Sequence, residues 1–177
     1  MPSRRQFLST SGLTLTVCLS GCLSTIGITK IGQVEEKAIL LEWEYDGQRY
    51  IDDVLSIWGR EDGLTGSFDP QFVGQTPQNP VNFVIDEAVH DALASRFRVK
   101  YLLGICGDDF SPCLNTWTSR EDFNRVQLTD EAEVYAKPSW FDVIDVYESA
   151  RSDVPNDVET YDFAELHRDD ELPPSRN

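Results

Sequence analysis

The chain has little lysine, histidine or methionine, and no long apolar run. Lysine occurs at Lys30, Lys37, Lys100 and Lys137, histidine at His90 and His167, and methionine only at Met1. Two histidines and no G-x-S-x-G elbow leave a Ser–His–Asp hydrolase without its parts. Asp and Glu number 31 against 15 Lys and Arg, with a pI near 4.3. That balance argues against nucleic acid as a partner, because nucleic-acid binding needs a basic face. It equally disfavours electrostatic docking on anionic lipid. The longest apolar stretch falls short of the roughly 20 residues of a membrane-spanning helix. Of the four cysteines, Cys18, Cys22, Cys106 and Cys113, the last two lack the C-x-x-C spacing of a redox pair, and a zinc site on them would need two more ligands from distant residues.

What is present begins at the N-terminus. Ser3-Arg4-Arg5-Gln6-Phe7-Leu8 precedes a short apolar stretch, Leu13 to Leu19, and no acid occurs before Glu35. This layout resembles a twin-arginine export signal, with Arg4 and Arg5 as the twin arginines. Leu19-Ser20-Gly21-Cys22 resembles a lipobox. Together they imply a signal peptide over residues 1–21, read as an address, export of an already folded chain, and lipid on Cys22. Two acyl chains anchor stably where one does not, at about 0.8 kcal/mol per buried CH₂. The expected location is therefore extracytoplasmic, with the outer face of the cell membrane as partner through Cys22. The acidic, lysine-poor composition resembles proteins of salt-loving archaea. Molar salt shortens the Debye length to about 3 Å, whereas in dilute buffer the same charge pushes a domain apart.

Residues 22–33 read as a small, polar tether, residues 34–150 as one β-rich domain, and residues 151–177 as an acidic, proline-punctuated, solvated tail. Ala38 to Tyr45 alternates, and Asp46-Gly47 is a strong hairpin signal. A return strand over Gln48 to Trp58 sets Trp43 opposite Tyr50 and Glu44 opposite Arg49. It also sets Leu41 opposite Asp52, a poor pair that a bulge near Asp52-Asp53 relieves. Residues 59–80 read as a long loop. A short strand over 81–85 and a helix over 87–97 capped by Asp86 follow. The strand 98–106 carries Val99, Tyr101, Leu103 and Ile105 on its buried face. Residues 114–117 form a further short strand, 120–126 a turn or single helical turn, and 131–136 and 140–148 the last strands.

The fold class expected is mainly β: a small antiparallel β-barrel or curled sheet with one short helix. A helix between the third and fourth strands resembles the OB-fold layout. The segment Val126-Gln127-Leu128-Thr129-Asp130-Glu131-Ala132-Glu133-Val134 resembles the turn feeding a barrel strand, where such domains often carry Gly in place of Thr129.

Candidate chemistry is sparse. Cys106 and Cys113 flank a loop containing Gly107 and Pro112 and outside the cytoplasm read as a disulfide. Adjacent Asp108 and Asp109 offer carboxylates of the kind Ca²⁺ takes, but more simply read as solvated loop acids, so no metal and no cofactor is assigned. Arg96, Arg98 and Lys100 form the one local basic cluster, expected to pair with carboxylates or to receive an anion. Trp43, Tyr50, Trp58, Trp117 and Trp140 read mostly as core, with one or two free to form a carbohydrate or small-ligand platform. No catalytic residue stands out. The reading is a non-catalytic binding or envelope-interaction module. The alternatives are a carboxylate-dependent, glycosidase-like hydrolase or an accessory subunit of a membrane-bound complex.

Overall fold

A computed structural model describes residues 28–60, 63–73, 83–110, 113–148, 156–169 and 172–173. The chain forms strands β1 (Ile28–Tyr45), β2 (Gln48–Arg60) and β3 (Gly63–Phe68), then helices α1 (Pro70–Val73) and α2 (Glu87–Ala94). Strands β4 (Arg98–Cys106) and β5 (Cys113–Thr118), helix α3 (Arg120–Arg125), strands β6 (Glu131–Lys137), β7 (Trp140–Tyr147) and β8 (Asn156–Thr160), and helix α4 (Phe163–Leu166) complete it.

The eight strands make one sheet in the order β4-β5-β7-β6-β1-β2-β3-β8, and β4 also pairs with β1. Five strands thus close a ring, β1-β4-β5-β7-β6. The helix between its third and fourth strands is α3, expected as a turn or single helical turn. It is not the 87–97 helix that carries the resemblance to the OB-fold layout, which precedes the second strand of the ring as α2. The length of β1 makes this possible. Its first part, Ile28 to Gln33, pairs with β6, and from Glu36 to Tyr45 the same edge pairs with β2. The other edge pairs with β4 from Gln33 to Glu42. The sheet is mixed, because β5–β7 and β3–β8 run parallel.

The hairpin register is the expected one: Trp43 lies opposite Tyr50, Glu44 opposite Arg49 and Leu41 opposite Asp52, with a shift between Ile39 and Leu40. Trp43 and Tyr50 stack at 5.4 Å between centroids. On β4, Tyr101, Leu103 and Ile105 are buried as the alternation requires, with Val99 packed at the margin.

Several expectations are corrected. Among the described residues four short helices are present rather than one, and α2 ends at Ala94. Residues 59–80 are not all loop, since β3 and α1 lie within them. Gly66 (φ +139°) permits β3: a Cβ there would sit 2.1 Å from the Ser56 carbonyl oxygen. Residues 83–86 are not strand; the Asn124 side chain replaces a partner strand, accepting from Ile85 N (2.8 Å) and donating to Ile85 O (2.7 Å). The expected tether already belongs to β1 from Ile28 onward.

The largest difference is at the C-terminus. Part of the presumed tail forms β8 and α4, and Phe163 is fully buried. Phe163 N donates to Asp69 Oδ2 at 2.7 Å, and the ring packs on Trp43, Phe72 and Phe97. Its apolar content is low, but the parallel pairing of β8 with β3, the Tyr161 hydroxyl donating to the Asp53 carbonyl, and Phe163 in the shared cluster together hold it. Thr129, at the position where a glycine is common, has φ +73°. A β-branched residue is strained there, and the turn is held by Thr129 N to Val34 O and Val34 N to Asp130 O, both 2.8 Å.

Lys37 points into the barrel and is completely buried. Its Nζ donates to the carbonyls of Phe83 and Val126 at 2.8 Å and stands 4.2 Å from the Phe123 ring centroid. Desolvation pulls its pKa down to about 7, against a smaller opposing pull from Asp130.

Candidate outer-face binding site

The outer face of the sheet follows from the same register. Residues whose Cα atoms pair across strands share a face. One row reads Trp58, Glu36, Gly104 and Asn115 across β2, β1, β4 and β5. The next reads Ser56, Ala38, Leu102, Trp117 and, through the parallel pairing of β5 with β7, Trp140. A third carries Asp53, Leu40 and Lys100, and a fourth Ile51, Glu42 and Arg98. Tryptophans 58 and 117 are half-buried and Trp140 is exposed.

At one end Glu36 lies flat against the sheet. Gly104 makes room for it: a Cβ there would come within 2.7 Å of Glu36 Cβ and 2.9 Å of Asn115 Oδ1. Asn115 Nδ2 donates to Glu36 Oε2. Burial first, and the neighbouring Asp53 second, push the Glu36 carboxyl up to about 7. Asp53 is itself pushed up by burial and by Asp52. Near pH 7 the Glu36 carboxyl at this end can therefore both donate and accept.

At the other end three cations converge on Glu42. Arg49 Nη2 lies 2.7 Å, Lys100 Nζ 2.8 Å and Arg98 Nη1 3.5 Å from its oxygens. Hydrogen bonds from Lys100 and Arg49 hold the Glu42 carboxyl down at about 2. Lys100 Nζ also stands 5.0 Å from the Trp117 ring centroid. Beside Trp140, whose Nε1 donates to Asp142 Oδ1 at 2.8 Å, Lys137 pairs with the same carboxylate.

Cys106 and Cys113 pair in register at the end of β4–β5, with sulfurs at 2.10 Å, the disulfide expected. Beneath it lies a shallow acidic depression of about 460 Å³ lined by Glu35, Asp108, Asp109 and Glu131. The Asp109 carboxylate accepts from Ile31 N at 3.3 Å, and Lys30 donates to the Asp109 carbonyl. Glu35 comes near both sulfurs, but sulfurs joined to each other are not metal ligands.

Of the basic cluster, Arg98 and Lys100 pair with a carboxylate as expected. Arg96 instead donates to the Pro173 carbonyl and covers Phe72 and Phe97. Nδ1 of His90 meets the Tyr101 hydroxyl at 2.8 Å, and Nε2 of His167 meets Asp52 at 3.0 Å. The two histidines therefore serve separate packing sites. Of the large aromatics, Trp43 is core and Tyr50 packs against it, whereas Trp58, Trp117 and Trp140 sit on the outer face. Glu36, Glu42, Asp53 and Asn115 went unnoticed in the sequence. For Glu42 and Asn115 the signal available was parity, since they alternate with the core residues of their strands. Asp53 shares the parity of Leu55 and Ile57 and reaches the outer face only through the bulge at Val54.

Arg4, Arg5 and Cys22 lie outside the described residues. Among the described residues no helix is long and apolar enough to cross a membrane. No family model, curated protein or solved structure matches this chain.

Proposed function

We propose that this protein is an extracytoplasmic, lipid-anchored, non-catalytic module that binds carbohydrate on the outer face of its barrel. The observation that carries the reading is the adjacency of Trp117 and Trp140 across β5 and β7. Indole faces cover the apolar side of a sugar ring, and Asn115, Glu36 and Asp53 on the same face supply donors and acceptors for hydroxyls. Aromatic rings with a few convergent polar groups are the usual makings of a small-ligand site. The address rests on Arg4, Arg5 and Cys22.

Two experiments test this. Cells expressing wild type and Cys22→Ser are fractionated at native salt. Wild type should track with membranes, and the serine variant should be released or accumulate as precursor. Cytosolic recovery of both would overturn the address. Retention on immobilised polysaccharides should then be lost in Trp117→Ala. Equal retention of wild type and variant would overturn the binding face.

A second reading, a carboxylate-dependent glycosidase-like hydrolase, takes support from Glu36 and Asp53. A carboxyl pushed up to about 7 beside another acid is suited to general acid catalysis. Release of reducing ends, abolished in Glu36→Gln while binding persists, would move the assignment there.

A further inference from the structure

The cluster around Glu42 holds more positive charge than Glu42 needs. Its carboxylate offers about four acceptor positions, whereas each guanidinium brings five donors and the ammonium three. Arg49 is 58% and Arg98 72% exposed at the side chain, and Arg98 reaches Glu42 only at 3.5 Å. Within the cluster itself three cations face the single carboxylate of Glu42; Glu44, the register partner of Arg49, and Asp46 in the turn lie further along the hairpin. In a chain with 31 acids and 15 bases, three cations drawn to one carboxylate leave acids elsewhere without partners. Arg49 on β2 and Arg98 on β4 flank Glu42 from the two strands either side of β1. Each is exposed enough to offer donors to solvent, and a single guanidinium fork can take a planar carboxylate with two parallel hydrogen bonds.

We infer that Arg49, Arg98 and Lys100 form a subsite for the carboxylate of an acidic saccharide whose ring lies on Trp117. This rests on the carbohydrate reading above and names its substrate class: polysaccharides bearing uronic acids. Lys100 links the two halves, being both an ion-pair partner of Glu42 and 5.0 Å from the Trp117 ring. A single sugar ring on the indole therefore brings its carboxyl substituent to the cationic cluster. Glu42 stays ionised, its carboxyl held at about 2. It acts as a positioning residue that splays the three cations without neutralising them. Contact hydrogen bonds of this kind survive molar salt better than long-range attraction, which is screened beyond a few ångströms.

The test compares binding of the full chain at molar KCl to polygalacturonate, to its fully methyl-esterified form and to vesicles of anionic phospholipid. Variants are Arg98→Gln, Arg49→Gln and Trp117→Ala, each checked for an unchanged circular dichroism spectrum. The expected result is that wild type prefers polygalacturonate over the ester by at least tenfold. Either arginine variant should lose that preference while keeping its affinity for the ester, and Trp117→Ala should lose both polymers. Equal binding of the two polymers by wild type, unaffected by Arg98→Gln, would overturn the carboxylate subsite and leave the carbohydrate face standing. Failure of wild type to bind either polymer would overturn both. Arginine-dependent binding to the vesicles without binding to polygalacturonate would overturn the saccharide assignment in favour of a lipid headgroup.

Discussion

Replacing Lys37 with Met should change how stability depends on pH more than it changes stability itself. In the unfolded chain the ammonium keeps its ordinary pKa of 10.5, and in the barrel it falls to about 7. Below pH 7 both states are protonated, and the folded state carries the full cost of a desolvated charge. Between 7 and 10.5 the folded chain gives up a proton that the unfolded chain keeps, so stability rises with pH. At 1.36 kcal/mol per unit, wild type should gain about 3 kcal/mol from pH 7 to pH 9.5, and Lys37→Met should not. The absolute effect at pH 7 is smaller, because Met leaves the Phe83 and Val126 carbonyls without a donor, at about 1–3 kcal/mol each, while removing the charge penalty. The assay is urea unfolding at fixed molar KCl, with both proteins followed at the same pH values. Tyr101 and Tyr161, held above their usual range mainly by burial, titrate alike in both proteins and cancel in the comparison. Parallel profiles for wild type and Lys37→Met would refute the buried-ammonium account.

Glu36→Gln should act in the opposite window. The folded pKa, about 7, exceeds the ordinary 4.5, so wild type loses up to about 3 kcal/mol as pH rises from 4.5 to 7 and the glutamine variant does not; coincident urea midpoints across that range would count against it. Phe163→Ala should cost about 3–5 kcal/mol and free α4, read as faster amide exchange in β8; an unchanged melting temperature would mean that the C-terminal segment is not docked. Replacing Cys106 and Cys113 together by serine should cost about 2.5 kcal/mol by the loop-entropy argument, and mass spectrometry of unreduced wild type should show no alkylation at either position. Dilution from molar KCl into dilute buffer should unfold wild type, since its net charge of −16 is then unscreened; a full circular dichroism signal without salt would refute salt adaptation.

The parts of the fold legible in the sequence were those in which side-chain alternation and turn chemistry agreed. Asp46-Gly47 set the β1–β2 register. The poor pairing of Leu41 with Asp52 called for a bulge near Asp52-Asp53, but that pair is kept and the shift falls one step on, between Ile39 and Leu40, where Val54 is skipped. Asp86 capped its helix as expected, its side chain accepting from Val89 N at 2.8 Å. What failed depended on distant partners. Nothing local marks Gly63–Phe68 as a strand, because the pairing that makes it one comes from β2 and β8. Nothing local marks Phe163 as core, because its burial depends on Asp69, Trp43 and Phe97. The barrel closure, β1 with β4 and β6 together, is likewise a long-range property of one strand too long for a single partner.

The outer face was hidden for a related reason: its signature is a cancellation of charge, which no residue shows alone. Glu36 and Asp53 are driven toward the protonated form by burial, Glu42 is surrounded by three cations, and Asp142 pairs with Lys137. Between them lie Ala38, Leu40, Leu102 and Trp117. An acidic surface stays solvated by leaving carboxylates ionised and free. Here Glu42 and Asp142 are paired with cations, and Glu36 and Asp53 are pushed toward the neutral form, at a cost in desolvation and in scarce cations. A face built only to remain in contact with solvent has no use for that arrangement. A face that must shed its water when a ligand arrives does, because a neutralised carboxyl is far less costly to cover than a free one.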